Sequence, residues 1–260
     1  MAEERVVLIS GAASGIGRRI AERFLEQGDA VHVCDSSESA VADFLAVNNK
    51  ATASVSDVGD RKSVDRLFAD FSAQHDHMDV LVNNAGVAGP VGPVEDLDED
   101  GWDNCLQVNL SGSFYMTRRA VPLLRKSRAA SIVNIASTAG LMGCPNRSPY
   151  VASKWAQIGL TKTWAMELGP EGIRVNAVCP TSVDGARIDR VISDEANQRG
   201  MIADEIREVY LRQTSMRSFA TPDEVADAVL FLASDQSKRI SGQALAVDGH
   251  TEGFLNWLDK

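Results

Sequence analysis

The stretch Val6-Val7-Leu8-Ile9-Ser10-Gly11-Ala12-Ala13-Ser14-Gly15-Ile16-Gly17 decides how the chain is read. A continuous apolar, β-branched run passes directly into a turn carrying three glycines. An amphipathic pattern follows over 16–27, with Ile16, Ile20, Phe24 and Leu25 at helical spacing. Strand, glycine turn and helix in that order make the opening unit of a dinucleotide-binding sheet. Gly11, Gly15 and Gly17 let the backbone turn sharply and approach a pyrophosphate held at the N-terminus of the helix. Ser14 and Ile16 belong to the same loop and are expected to share the contact.

Outward from this unit, short apolar runs alternate with longer helical stretches. Strands are expected over 5–10, 30–35, 51–55, 79–83, 131–136, 173–179 and 243–247. These runs are continuous rather than alternating, the pattern of a parallel sheet covered on both faces. A second amphipathic stretch, 62–73, carries Val64, Leu67, Phe68 and Phe71 on one stripe. Gly28 and Gly101 are read as punctuation. Thr221-Pro222-Asp223-Glu224 combines an N-cap, a Pro at the first helical position and an acidic first turn, and so opens a last helix. The expected fold is α/β: a Rossmann-type doubly wound parallel sheet of about seven strands with helices on both faces. No linker, repeat or low-complexity stretch interrupts it, so 1–260 is read as one dinucleotide-binding domain. The rhythm breaks once, over 181–219, where a polar insertion with patchy helical periodicity follows a strand. Insertions at that end of a strand border ligands in open α/β sheets.

Bulk properties narrow the partners. The formal net charge is -10 and no basic run occurs, which disfavours nucleic acid. The N-terminal residues lack a basic segment leading into a long apolar one, and no apolar run is long enough to span a bilayer. A cytoplasmic protein that meets no membrane is expected. Cys34, Cys105, Cys144 and Cys179 are scattered without a C-x-x-C pair and are expected to be free thiols. His75 and His77 form an H-x-H in a polar connector without a third ligand in view, so no metal is expected.

Further motifs fall at the carboxyl ends of the expected strands. Asp35 ends the second. A carboxylate there accepts both ribose hydroxyls of NAD and repels the 2′-phosphate of NADP. Asp57-Val58 closes the third and Asn83-Asn84-Ala85-Gly86 the fourth. Ser137 follows the fifth, with a hydroxyl able to hydrogen-bond a substrate oxygen and stabilise its charge in the transition state. Thirteen residues later, Tyr150-Val151-Ala152-Ser153-Lys154 begins a helix after Pro149. The i, i+4 spacing puts phenol and ammonium on one face. A free phenol titrates near ~10, and a fixed cation beside it brings it towards the working range of a proton acceptor.

This order of motifs, G-x-x-x-G-x-G, Asp-Val, N-N-A-G, a Ser after strand five and then Y-x-x-x-K, resembles the short-chain dehydrogenase/reductase family, in its NAD-preferring form. The resemblance runs from Val6 to about Gly249. It implies that Asp57 contacts the adenine amino group and Val58 the adenine through its backbone. It also implies that Asn83, Ala85 and Gly86 hold the cofactor along strand four, with Tyr150 and Lys154 touching it as well. Asn109 matches the family's mid-helix asparagine, whose role is to hold a water linking Lys154 to solvent. Asn109, Ser137, Tyr150 and Lys154 would then be the catalytic four. One departure concerns the segment after strand six, Pro180-Thr181-Ser182-Val183-Asp184-Gly185. Pro180 and the apolar Val183 remain, but Thr181 stands for the family's Gly and Gly185 for its Thr.

Substrate walls are expected from 87–94, 138–148 and the insertion after Val183, which contain Asn146, Arg147, Arg187 and Arg190. Large aromatics are few, so a polar hydroxylated substrate (a sugar, polyol or hydroxy acid) fits better than a steroid or an acyl chain. Arg147 or Arg187 pairing an anionic group is left open beside the commoner outcome, a solvated arginine. The helix of Tyr150 also carries Val151, Trp155, Ile158, Leu160, Trp164 and Leu168. It reads as apolar over most of its circumference, and the resemblance implies a homotetramer or dimer. Three functions therefore stand: an NAD-dependent alcohol or sugar dehydrogenase, which the residues favour; an NADPH-dependent 3-oxoacyl reductase; and a non-catalytic NAD-binding or scaffold protein.

Overall fold

The computed structural model describes residues 4–254, and the opening stretch supplies an interior strand of its sheet. The chain begins with β1 (Val6–Ser10), α1 (Gly15–Glu26), β2 (Ala30–Asp35), α2 (Glu38–Val47), β3 (Thr52–Val55), α3 (Arg61–Ser72) and β4 (Val80–Asn83). Next come α4 (Glu99–Leu106), a π-helical turn (Gln107–Ser111), α5 (Gly112–Leu124), β5 (Ser131–Ile135), α6 (Ser148–Leu168) and β6 (Arg174–Pro180). The remainder is α7 (Ala186–Arg199), α8 (Ala203–Arg212), α9 (Pro222–Ala233) and β7 (Ala244–Val247).

All strand pairs are parallel, in one sheet of order β3-β2-β1-β4-β5-β6-β7. Alternate residues of β1 enter different apolar layers, Val7 and Ile9 on one face and Val6 and Leu8 on the other. Two-sided burial explains the unbroken apolar run. Helices α1, α2 and α9 cover the first face through Ile20, Phe24, Phe44, Val225 and Val229. On the other face α3, α5 and α6 contribute Val64, Leu67, Phe71, Met116, Leu124 and Trp164. Each such large side chain, once buried, stabilises the fold by roughly 1.5–3 kcal/mol. The strand order reverses between β1 and β4, which opens a crevice at their carboxyl ends.

Several local expectations are corrected. Gly101 does not punctuate; it lies in the first turn of α4, where its N–H donates to the Asp98 carboxylate (2.6 Å). Asp57 and Val58 lie beyond the end of β3, in a turn closed by the Asp57 carboxylate accepting from Gly59 N–H (2.8 Å). The insertion is more ordered than its periodicity suggests, because α7 and α8 share a small core of Ile188, Ile192, Ala196, Ile206 and Phe219. Helix α6 is not apolar all round. Its buried face is half polar, with Ser153, Lys154, Gln157 and Thr161 beside Ile158, Trp164 and Leu168. Trp155 and Met166 face outwards, 51% and 80% exposed.

The four cysteines are free, with Cys144 half-buried and the others buried. His75 packs on the Phe71 ring (4.9 Å between centroids), and His77 pairs with Asp76 and Asp79. Among the described residues no group of three or more His, Cys, Asp or Glu is placed to hold a metal ion. No described helix is long and apolar enough to cross a membrane.

Candidate active site

The glycine loop between β1 and α1 is built for close approach. A Cβ at Gly17 would lie 2.3 Å from Gly11 O and 2.4 Å from the Asn84 amide nitrogen, so only glycine fits there. Asn84 clamps the loop, its amide donating to the carbonyls of Ser10 (3.0 Å) and Gly11 (2.8 Å). The loop leads into a helix start without a side-chain cap. Ser14 at the N-cap makes no side-chain cap, and the first turn of α1 holds no acidic residue. Helices α2, α3, α4 and α9 carry a side-chain cap, whereas α5, α6 and α7 lack one as α1 does. Space in front of Gly15 is open. Free N–H groups and an uncompensated helix dipole suit a phosphate, so these residues fit a dinucleotide. Ile16, in the first turn, packs against the apolar layer below.

Asp35 stands at the loop's flank, its carboxylate accepting from Ala13 N–H (3.2 Å) and Ser37 N–H (3.1 Å). Val58 is buried beneath α5, where a Cβ at Gly112 would come within 2.8 Å of its side chain. Asn83 is placed differently from Asn84. Its side chain is buried between sheet and helix, donating to Thr117 (3.0 Å) and Asn134 (2.8 Å), and does not face the crevice. Ala85 and Gly86 do border the crevice: Ala85 N–H donates to the Ser10 hydroxyl (3.2 Å), and Gly86 packs against Asn109 and Lys154.

Asn109, Ser137, Tyr150 and Lys154 converge from the π-helical turn, the loop after β5 and the first turns of α6. Lys154 is only 3% exposed, yet its nitrogen lies 5.7 Å from the Tyr150 ring centroid. It donates to Ile135 O (2.8 Å) and Gln157 Oε1 (3.1 Å). Burial alone would raise the Tyr150 phenol, but the charge of Lys154, then Arg187, a hydrogen bond with Ser137, and Arg147 outweigh it. The phenol therefore lies below its ordinary value. Burial pushes the Lys154 ammonium down, against the pull of Tyr150. Ser137 caps a short turn through Ala139 N–H (3.1 Å).

Asn109 is fully buried. It donates to Val87 O (3.0 Å) and Ser153 (3.0 Å) and accepts from Val87 N–H (2.8 Å), which ties the loop after β4 to α6. A chain of buried groups unforeseen in the sequence joins it to the lysine. The Gln157 amide donates to Ser113 (3.0 Å), and the Ser113 hydroxyl donates to Asn109 O (3.0 Å). The one available signal was spacing, because Gln157 follows Lys154 by three residues on the same helix face.

At the end of β6, Pro180 O accepts from Thr138 (3.3 Å) and Ser137 (3.5 Å). Thr181 extends the β6–β7 ladder through its N–H to Val247 O (3.2 Å), so this departure from the family pattern is accommodated in extended backbone. Val183 bridges to Ala220. Gly185 has φ 137°, in the region that side-chain-bearing residues avoid, so the Thr expected there cannot occupy this backbone without strain. Arg147 reaches the site, while Arg187 is exposed in the first turn of α7. Arg147 stacks over the Tyr150 ring, Cζ 5.6 Å from its centroid, and the charge of Arg187 acts on Tyr150 and Lys154. Arg190 is exposed on α7.

Known proteins agree with this architecture. A family model described as enoyl-(acyl carrier protein) reductase matches residues 11–251. A 3-oxoacyl-[acyl-carrier-protein] reductase of Thermotoga maritima is 37% identical over 95% of this chain and 97% of its own. Among solved structures, an NAD+-bound xylitol dehydrogenase superposes with TM-score 0.88 at 30% identity, covering 94% of this chain and 97% of that one. A single-residue variant of actinorhodin polyketide ketoreductase with NADPH gives TM-score 0.90 at 32% identity, covering 99% of this chain and all (100%) of the other. Continuous coverage from the glycine loop to the last strand, on a sheet of this order, makes the chain an oxidoreductase belonging to the short-chain dehydrogenase/reductase family.

Proposed function

We propose that the protein is an NAD-dependent dehydrogenase of a polar alcohol, with Tyr150 as its acid–base, Lys154 as the cation that tunes it, Ser137 as the hydrogen-bond donor to substrate oxygen and Asn109 as their support. The observation that carries this reading is a buried ammonium held 5.7 Å from the ring of a phenol whose pKa is lowered. The bound nicotinamide supplies the hydride acceptor. In alcohol oxidation Tyr150 takes the hydroxyl proton, and Ser137 stabilises charge on the same oxygen. Lys154 favours the phenolate, and its remaining N–H is available to a cofactor ribose. Gly11, Ser14, Gly15, Ile16 and Gly17 hold the pyrophosphate, Asp57 and Val58 the adenine, and Ala85 with Gly86 the far side. The backbones of Pro180 and Val183 seat the carboxamide. Asn83 acts through its backbone, since its side-chain amide nitrogen donates inside the fold.

Asp35 decides between cofactors, both of which occur among the structural relatives. A 2′-phosphate brings nearly two negative charges against the carboxylate. At ~4 Å and an effective dielectric near ~20, each unit pair costs on the order of 4 kcal/mol before screening. Solvent and side-chain movement at this half-buried position leave roughly 2–4 kcal/mol, or ~30- to 1000-fold in preference. Ser36 and Ser37 supply no compensating cation. Asp35→Ala narrows the preference from both sides, and steady-state kinetics with NAD and NADP measure it. A wild-type enzyme equally efficient with NADP contradicts the role given to Asp35.

The second reading, a 3-oxoacyl reductase using NADPH, is favoured by the Thermotoga maritima relative. One screen separates the two: polyols, aldoses and hydroxy acids with both dinucleotides, against a 3-oxoacyl thioester with NADPH. Turnover of the thioester alone would replace the first reading by the second.

A further inference from the structure

The Lys154 ammonium has three N–H donors and little access to water. Ile135 O takes one (2.8 Å) and the side-chain oxygen of Gln157 another (3.1 Å), which leaves the third for the site. Gln157 is itself fully buried, and an amide can present either its oxygen or its nitrogen to a neighbour. A chain of groups fixes which. It starts at Asn109 O, a peptide carbonyl that only accepts. The Ser113 hydroxyl donates its single proton there (3.0 Å), so towards Gln157 it is an acceptor. The Gln157 nitrogen therefore faces Ser113 (3.0 Å), and its oxygen faces the lysine. Among the described residues no carboxylate hydrogen-bonds or pairs with Lys154. A neutral amide thus satisfies the ammonium without cancelling the charge that reaches Tyr150. The other groups acting on this pair keep their charge states across the working range. Burial raises the thiols of Cys105 on α4 and Cys179 on β6, and the guanidiniums of Arg147 and Arg187 stay charged.

We propose that Gln157 is a positioning residue for the oxidation, and that the directed chain from Asn109 O through Ser113 to Gln157 keeps the Lys154 side chain cationic beside Tyr150. This rests on Tyr150 being the acid–base of the preceding section. Gln157 makes and breaks no bond of the substrate; it acts on the phenol through the lysine. Without its oxygen the buried cation is left one acceptor short, which favours the neutral amine. An amine exerts no unit charge on the phenol, whose pKa then returns towards its ordinary value. The phenolate needed to take the alcohol proton forms only at higher pH.

Gln157→Met keeps the length and apolar body of the side chain and removes the acceptor. Its kcat–pH profile, with NAD and the best alcohol from the substrate screen, is compared with that of wild type. The limb belonging to Tyr150 moves up by about one pH unit. Turnover below the limb falls about 10-fold and recovers to near the wild-type level above it. Ser113→Ala, which reads the same chain without touching α6, shifts the limb in the same direction by less. The Gln157→Met/Ser113→Ala double variant shifts it no further than Gln157→Met, because Ser113 acts only through Gln157. A residue that merely packs would depress turnover at every pH and leave the limb in place. A limb that stays or moves to lower pH overturns the proposal, and so does a double variant whose shift is the sum of the single ones. Failure of every alcohol to react, or full activity of Tyr150→Phe, removes the dehydrogenase reading instead. The role of Gln157 is then decided without substrate, by ultraviolet titration of phenolate absorbance with the Tyr150→Phe signal subtracted. A Tyr150 pKa higher in Gln157→Met than in wild type supports it, and an unchanged or lower one refutes it.

Discussion

Tyr150 and Lys154 illustrate how two ordinary side chains become reactive through placement. A lysine that is almost wholly buried loses hydration, and the hydrogen bonds it donates to Ile135 O and Gln157 Oε1 offset part of that loss. Its charge then falls on a phenol lying on the same helix face. The phenolate is the form that accepts the alcohol proton, so oxidation accelerates as pH rises through the lowered phenol pKa. Lys154→Met removes the largest of the lowering influences, and the alkaline shift of that limb in the pH–rate profile measures it. Affinity for NAD, read by titration, falls in the same variant because the ribose contact goes with the ammonium. An unmoved limb with unchanged affinity would deny both roles. The pair was legible in the sequence because i, i+4 spacing alone sets a shared face. Gln157 and Ser113 escaped notice because their contact joins α6 to α5, and no local pattern encodes which helix faces which.

Helix α9 shows the clearest passage from local sequence to an element. Thr221 accepts from Glu224 N–H (3.2 Å), and the Glu224 carboxylate accepts from Thr221 N–H (2.7 Å), a reciprocal cap with Pro222 at the first position. Below it Val225, Val229 and Leu232 are packed on the sheet. Thr221→Ala should therefore lower stability by about 1 kcal/mol, roughly 2–4 °C in Tm. Thermal unfolding followed by circular dichroism checks this, and a loss below ~0.3 kcal/mol would mean the cap is redundant to packing. The insertion is the contrast. Helices α7 and α8 form because Ile188, Ile192, Ile206 and Phe219 bury one another, which polar composition conceals. Gly101 misled in the opposite direction, since its tolerance in α4 depends on the Asp98 cap and not on glycine's preference for turns.

For the whole molecule, sheet class and strand number were readable from alternating runs, whereas the strand order is a property of crossovers and appeared only in three dimensions. The exposed face of α6 extends this to assembly. Trp155 and Met166 are uncovered, and Phe114 of α5 is 42% exposed in the same helical layer. Large apolar groups left open on a chain of this size fit burial against a second copy. We expect a homo-oligomer, so light scattering at micromolar concentration should give a multiple of 28.0 kDa. A monomer under those conditions would leave this face solvated.

The central claim is that Tyr150 transfers the proton during NAD-linked alcohol oxidation, and removing one atom tests it most directly. Tyr150→Phe keeps the ring, the packing against Arg147 and the cofactor loop, and deletes only the hydroxyl. With the best alcohol found in the substrate screen, steady-state turnover of purified Tyr150→Phe should fall by at least ~10²-fold, while NAD affinity and melting temperature stay close to those of wild type. Turnover near the wild-type rate would contradict the claim, because a phenyl ring can neither give nor take the proton.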